Sequence, residues 1–171
     1  MSFYILKNDH LQALPLSYLQ KDGGRRLEKT LVPPEKAGER REGFEKYTRH
    51  YALEVMTKEM QVLDFRASVA EALELCEKIG AHHLILCDGD AIKGMVSDRD
   101  ISWLKRIHEE GHHLVSQYMT ELLLVCDEET PLDHLAHVMV KEKVSAFPVI
   151  DSQQNLVGIV THNDLLKWIY E

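Results

Sequence analysis

Along the chain the spacing of apolar positions changes from helical to strand-like in an order that occurs once from Val55 and again 63 residues later. Ser68-Val-Ala-Glu71 has the form of a helix-opening capping box. Behind it Val69, Ala72, Leu73 and Cys76 recur at i, i+3, i+4 and i+7, which predicts one amphipathic helix over 68–80. In the second copy Thr130 is the expected cap, Pro131 suits the first helical position, and Leu132, Leu135, Ala136 and Met139 follow, predicting a helix over 131–143. After each helix comes a short apolar run, LILC (84–87) or FPVI (147–150), then a turn with Gly89 or Asn155, then IKGMV (92–96) or LVGIV (156–160). These read as two strands joined by a tight connection. A last helix opens at SDRD or THND, where Ser97 or Thr161 is placed to cap it, and the first of these helices is expected to end near Gly111.

The two stretches align without gaps from 55–88 onto 118–151, matching Met56/Met119, Thr57/Thr120, Val62/Val125, Asp64/Asp127, Lys78/Lys141 and Asp88/Asp151. One inserted residue then makes the offset 64, and 93–104 lies on 157–168 with Gly94/Gly158, Val96/Val160 and Asp100/Asp164 matched. Self-similarity of this kind reveals architecture directly. The unit is strand-helix-strand-strand-helix, present at 51–111 and 112–171, behind a leader at 1–50. Three strands with two helices on one face leave apolar surface that a single copy of about 55 residues covers only with difficulty. The expected fold is therefore α+β, two βαββα repeats packed about a pseudo-two-fold axis with a shared cleft.

Composition narrows the function. The 171 residues are 44% apolar and 28% charged, ordinary for a globular chain, and no run approaches the roughly 20 apolar residues of a membrane span. The N-terminal MSFYILKNDHLQALPLSYLQK lacks the form of an export signal, so a cytoplasmic location is expected. Cys76, Cys87 and Cys126 are odd in number and widely separated, which argues for reduced core thiols rather than disulfides or a structural zinc site. Residues 1–50 hold 10 Lys/Arg against 7 Asp/Glu, while 51–171 hold 10 against 21. So acidic a body argues against nonspecific nucleic-acid binding, and any bound phosphate must meet locally placed basic groups.

Chemistry concentrates just past the last strand of each copy. Ser97 and Asp100, and likewise Thr161 and Asp164, set a hydroxyl and a carboxylate three residues apart at a helix N-terminus, on one side of the first turn. Free amides and a hydroxyl favour a phosphate there, while a carboxylate can accept both hydroxyl protons of a ribose. A single instance is a common capping device; two at matching places in a repeat point to a ligand.

The pattern of Met-Thr, V-x-D, helix, hPVhD and G-h-V-[ST]-x-x-D over residues 52–171 resembles the CBS-domain (cystathionine-β-synthase domain) pair, or Bateman module. The resemblance implies a non-catalytic regulatory module with an adenosyl ligand, such as AMP, ADP, ATP, S-adenosylmethionine or NAD, in its cleft. It implies ribose contacts at Asp100 and Asp164 and phosphate or hydroxyl contacts at Ser97 and Thr161, with Arg99 and His162 alongside. It places adenine near Thr57, Thr120, Ser145, Ala146, Phe147 and Pro148, with His83 and Leu84 in the first copy. There His82-His83-Leu84-Ile85-Leu86 replaces the proline-containing segment, a departure that leaves that site either altered or empty. Arg99 is the leading phosphate partner because its planar fork holds phosphate bidentately, with His82, His83 and Lys143 as further candidates.

Ten histidines raise the question of a metal, yet no HExxH or Cys/His ligand spacing occurs, and the sequence around His134/His137 offers no obvious carboxylate or Cys set to complete a metal site. Nucleophile elbow, phosphate loop and dinucleotide fingerprint are likewise missing from the sequence, so no enzyme activity is expected. The leader, punctuated by Gly23-Gly24 and Pro33-Pro34, reads as partly irregular with a short helix near 37–50, serving as a packed arm or as a docking segment for a client protein. By resemblance, a homodimer is expected through the helices at 98–110 and 162–170, drawing on Trp103, Leu104, Ile107, Leu165, Trp168 and Ile169, some of which must instead be core within the chain. The competing reading is a structural interaction module whose cleft is vestigial.

Overall fold

The computed structural model describes residues 3–7, 9–16, 50–107 and 113–170, with 104–107 as backbone alone. The first repeat contributes β3 (Val62–Asp64), α2 (Val69–Ile79), β4 (His83–Asp88), β5 (Ala91–Ser97) and α3 (Asp98–Ile107), preceded by the short helix α1 (Ala52–Val55). In the second are β6 (Leu123–Asp127), α4 (Leu132–Glu142), β7 (Ala146–Ile150), β8 (Leu156–Thr161) and α5 (His162–Tyr170), preceded by a 3-10 turn at Val115–Tyr118. In each copy the first strand runs parallel to the second and the second antiparallel to the third. The expected βαββα duplication is present.

Local signals act as read at most positions. Ser68 caps α2, its hydroxyl accepting from the Glu71 amide at 3.2 Å while the Glu71 carboxylate accepts from the Ser68 amide at 2.7 Å. Gly80 ends the helix at φ 64°, a left-handed position that favours glycine. Thr130 is a correction: the N-cap of α4 is Pro131, and the fully buried Thr130 hydroxyl instead donates to Asp127 at 2.8 Å, closing the turn after β6. The connection from β7 to β8 takes its positive φ at Gln154, while Asn155 donates to the Asp151 carboxylate at 2.9 Å. The expected helix end near Gly111 and the helix near 37–50 fall outside the described residues, His50 apart.

The start of the leader holds a β-hairpin that the sequence reading lacked. β1 (Phe3–Lys7) and β2 (His10–Leu14) pair antiparallel, and β1 lies antiparallel on β6, so the second repeat's sheet grows to five strands in the order β2-β1-β6-β7-β8. The first repeat's sheet stays at three strands, β3-β4-β5. Phe3 anchors the hairpin on the helix side of the sheet, edge-on to Phe147 at 5.8 Å, within the core that contains Leu132, Leu135 and Val160. A matching core under the first repeat gathers Val69, Ala72, Leu84, Val96 and Ile101. Cys76, Cys87 and Cys126 are all free and buried.

The repeats exchange their lead-in segments. Ala52 donates to the Thr130 carbonyl at 2.9 Å, and its counterpart Val115 donates to the Ala67 carbonyl at 2.8 Å. Thr57 and Ile159 trade two backbone hydrogen bonds at 2.9 and 3.1 Å, and Thr120 and Met95 trade two at 2.8 and 3.1 Å. Every one of these contacts has its image at the sequence offset, so the halves are related by pseudo-two-fold symmetry. The repeated glycines make the crossing possible. A Cβ on Gly158 would lie 2.6 Å from the Met56 sulfur, and one on Gly94 2.6 Å from the Met119 sulfur. Met-Thr of one copy thus seats on the glycine of the other.

Candidate functional site

Because of that exchange, each Met-Thr segment stands beside the other copy's hydroxyl–carboxylate pair. One open cleft, about 850 Å³ in volume, lies between the copies, within the size range of small-ligand sites. Its walls come from the segment after Met56 (Thr57, Glu59, Met60, Gln61), the end of α2 and entry to β4 (Ile79 to His83), and the start of α5 (Thr161 to Asp164, with Lys167 one turn on). Ser97, Asp98, Arg99, Ser145, Ile85 and Ile159 complete it.

At the N-terminus of α5 the hydroxyl and the carboxylate singled out in the sequence are hydrogen-bonded to each other. Asp164 accepts from both the Thr161 hydroxyl and the Thr161 amide at 2.7 Å, so the carboxylate is held on the cleft side of the first turn. At the start of α3 the Ser97 hydroxyl donates to Asp100 at 2.6 Å and accepts from the Asp100 amide at 3.2 Å. Both helix starts are tied to the preceding strand entry, through Asp98 N–H to the His82 carbonyl at 3.0 Å and His162 N–H to the Ser145 carbonyl at 3.1 Å. Amide groups of a helix start therefore face the same space as a hydroxyl and a carboxylate.

His83 sits at the seam. Its Nε2 lies 2.8 Å from the Ser145 hydroxyl, across from one repeat to the other, while its buried Nδ1 has no partner. Burial lowers its pKa below the ordinary 6.5, with the nearby Asp98 pulling the other way. Neutral imidazole is thus the favoured form. His82 pairs with Asp98 at 2.7 Å on the exposed rim. Basic groups from Arg99, His162 and Lys167 surround the cleft, and Glu59, Asp98 and Asp164 are its acids.

Of the residues singled out in the sequence, Thr57, His82, His83, Ser97, Arg99, Ser145, Thr161, His162 and Asp164 line this cleft. Asp100 and Thr120 are exposed and belong to the pseudo-symmetric position outside it, and Lys143 is exposed at the left-handed end of α4. Leu84, Ala146, Phe147 and Pro148 are buried in the sheets and are not among the residues that line the cleft. Missed by the sequence reading were Met60, Ile159 and Lys167. Lys167 had a signal, standing three residues after Asp164 and so on the same helix face. Among the described residues no group of three His, Cys, Asp or Glu is placed to hold a metal ion, and no helix is long and apolar enough to cross a membrane.

The CBS domain family model matches residues 52–104 and 115–171, one match on each repeat. The chain belongs to the CBS-domain family. L-aspartate semialdehyde sulfurtransferase of Methanocaldococcus jannaschii is 29% identical over 101 residues, 58% of this chain and 19% of that enzyme. The CBS domain-containing protein YhcV of Bacillus subtilis is 26% identical over 113 residues, 66% of this chain and 80% of that one. The CBS chain thus spans about a fifth of the sulfurtransferase it matches and most of the small relative. Among solved structures, the CBS domain pair of protein MJ0100 in complex with 5′-methylthioadenosine and S-adenosyl-L-methionine superposes with TM-score 0.63 at 26% identity, covering 70% of this chain and 98% of that one. CBSX2 in complex with AMP gives TM-score 0.60 at 26% identity, covering 71% and 96%.

Proposed function

We propose that this CBS pair is a non-catalytic regulatory module that binds an adenine nucleotide, or a related adenosyl ligand, in the cleft beside Asp164, and passes its occupancy to a client protein in the cytoplasm. The observation that carries the reading is the meeting, in one open cleft, of the Asp164 carboxylate, the Thr161 hydroxyl and the α5 amides with Thr57 of the other repeat. Asp164 accepts the two ribose hydroxyl protons, exchanging its internal bonds to Thr161 for bonds to the sugar. Phosphate then lies against the α5 N-terminus, within reach of Arg99, His162 and Lys167, where the helix dipole and the cations favour negative charge. Adenine packs between the apolar walls at Met60 and Ile159, beside the backbone at Gly80 to His83. The adenosyl ligands of the similar CBS pairs support this class of ligand.

Regulation follows from linkage, since a ligand that prefers one arrangement of the repeats shifts the equilibrium by its differential affinity. A second copy is the proposed partner of the helices, because Trp103, Leu166, Ile169 and Tyr170 stand 54–89% exposed. Leu165, expected in that interface, is core, and Trp168 packs at 5.0 Å from the His50 ring within the chain.

Thermal-shift measurements with AMP, ADP, ATP, NAD and S-adenosylmethionine test the reading. Ligand at 100 times its dissociation constant adds about 2.7 kcal/mol, a rise of roughly 5–11 °C for a chain of this size. Asp164→Ala is expected to weaken binding roughly 10- to 100-fold, the worth of a hydrogen bond to a charged group. Absence of any shift with all five ligands, or full retention of the shift in Asp164→Ala, would refute it in favour of a purely structural interaction module.

A further inference from the structure

Pseudo-symmetry requires a second position equivalent to the open cleft, built from Thr120 and the Ser97/Asp100 pair. At the open cleft the apolar walls include Met60 and Ile159. Their counterparts at the sequence offsets are Leu123 and Met95. Both belong to a single apolar cluster that also takes in Tyr4, Leu6 and Leu11 of the hairpin. The strand register explains why. Leu6 lies opposite both Leu123 on β6 and Leu11 on β2, and Tyr4 lies opposite Val125, so these side chains share one face of the sheet. That face is the seam-facing one, since Phe3 and Cys126, on the other, belong to the helix-side core.

Exposure records the asymmetry. Val125 is 0% exposed and Leu123 2%, whereas Val62, the counterpart of Val125 on β3, is 45% exposed. The hairpin also reaches across to the first repeat, where Asp9 in its turn pairs with Lys93 on β5. The residue at the matching place in the second repeat is Val157, which has no charge to offer. Nothing in the duplicated sequence supplies a second hairpin for β3.

We propose that the N-terminal hairpin is an intramolecular occupant of the second site. It fills the base side with Leu6, Leu11 and Tyr4, so that the chain takes one adenosyl ligand, at Asp164, and gains a second site only when the hairpin leaves β6. This inference rests on the ligand class proposed above. Energetically the hairpin holds the place that a purine would take, covering apolar surface with leucine side chains. Displacement of the hairpin therefore couples the N-terminal segment to ligand binding, because whatever draws the hairpin away exposes a site.

The test is calorimetric stoichiometry with AMP and with S-adenosylmethionine as separate probes, on the full chain. One equivalent per chain, lost in Asp164→Ala, is expected; two equivalents on the unaltered chain would overturn the inference. In Leu6→Glu/Leu11→Glu, which puts charge into the cluster, a second equivalent is expected that Asp100→Ala removes, and a folded variant still binding one would overturn it. A labelling arm needs neither probe nor the charged variant. Met60→Cys should react with a thiol reagent at least tenfold faster than Leu123→Cys in the otherwise unaltered chain, and equal rates would overturn the inference. Should neither probe bind at all, the ligand reading fails and the labelling arm alone decides whether the hairpin closes the second position.

Discussion

Gly158→Ala probes the crossing on which the cleft depends. The new Cβ would lie 2.6 Å from the Met56 sulfur, 3.0 Å from its Cγ and 3.2 Å from the Thr57 carbonyl oxygen. Unstrained contacts between heavy side-chain atoms need about 3.5–4.0 Å, so Met56, which is 8% exposed, must retreat by roughly 1 Å within a packed core. Overpacking of this kind costs about 1–3 kcal/mol. Thr57 also trades two backbone hydrogen bonds with Ile159, and losing one adds about 1 kcal/mol. The sum is roughly 2–4 kcal/mol, or a fall of about 4–16 °C in Tm. Urea titrations of Gly158→Ala, Met56→Ala and the double variant give the assay. Met56→Ala alone should cost about 2–5 kcal/mol, but with the sulfur gone the added methyl finds room, so the double variant should be less destabilised than the sum by about 1–3 kcal/mol. Pairing Gly158→Ala with Met119→Ala, at the other crossing, should be additive within about 0.5 kcal/mol. A neutral Gly158→Ala, or equal coupling to both methionines, would refute the exchanged arrangement.

Two further outcomes follow from the buried groups. His83 has its pKa lowered by burial, against the pull of Asp98 and Asp100 and with His82 and His162 adding to the lowering, so the unfolded chain binds the proton more readily. Stability is then fully present above pH 6.5 and declines as pH falls from 6.5 toward the lowered folded value, and denaturant titrations across pH 5–8 should show a shallower acid slope in His83→Gln; an unchanged slope would count against the neutral seam histidine. Burial raises the pKa of Cys76, Cys87 and Cys126, so the folded chain should resist thiol reagents that modify all three once it is unfolded, and rapid modification of the native protein would contradict this placement.

The candidate site was legible where its chemistry is local. Ser97/Asp100 and Thr161/Asp164 are each three residues apart, and a helix start brings such residues together whatever surrounds them. Sequence distance hid the rest. Lys167 reaches the cleft because α5 faces it, and Met60 and Ile159 meet there because strands from different repeats cross. Phe147 and Leu84 were drawn toward the site by family resemblance, yet alternation along β7 and β4 turns their side chains into the cores.

What the sequence alone determined is the duplicated unit, through helical periods at Val69 and Leu132, the Ser68/Glu71 cap, and apolar runs bounded by turn residues. Those signals depend on neighbours within a turn or a strand, and the structure keeps them almost unchanged. Tertiary structure decided which Met-Thr segment seats on which glycine and where the FYILK strand docks. These are choices between distant partners of similar apolar character. Burial of Leu123 and Val125 beneath the hairpin, set against the exposed Val62, is the packing difference that makes unequal halves from a duplicated unit.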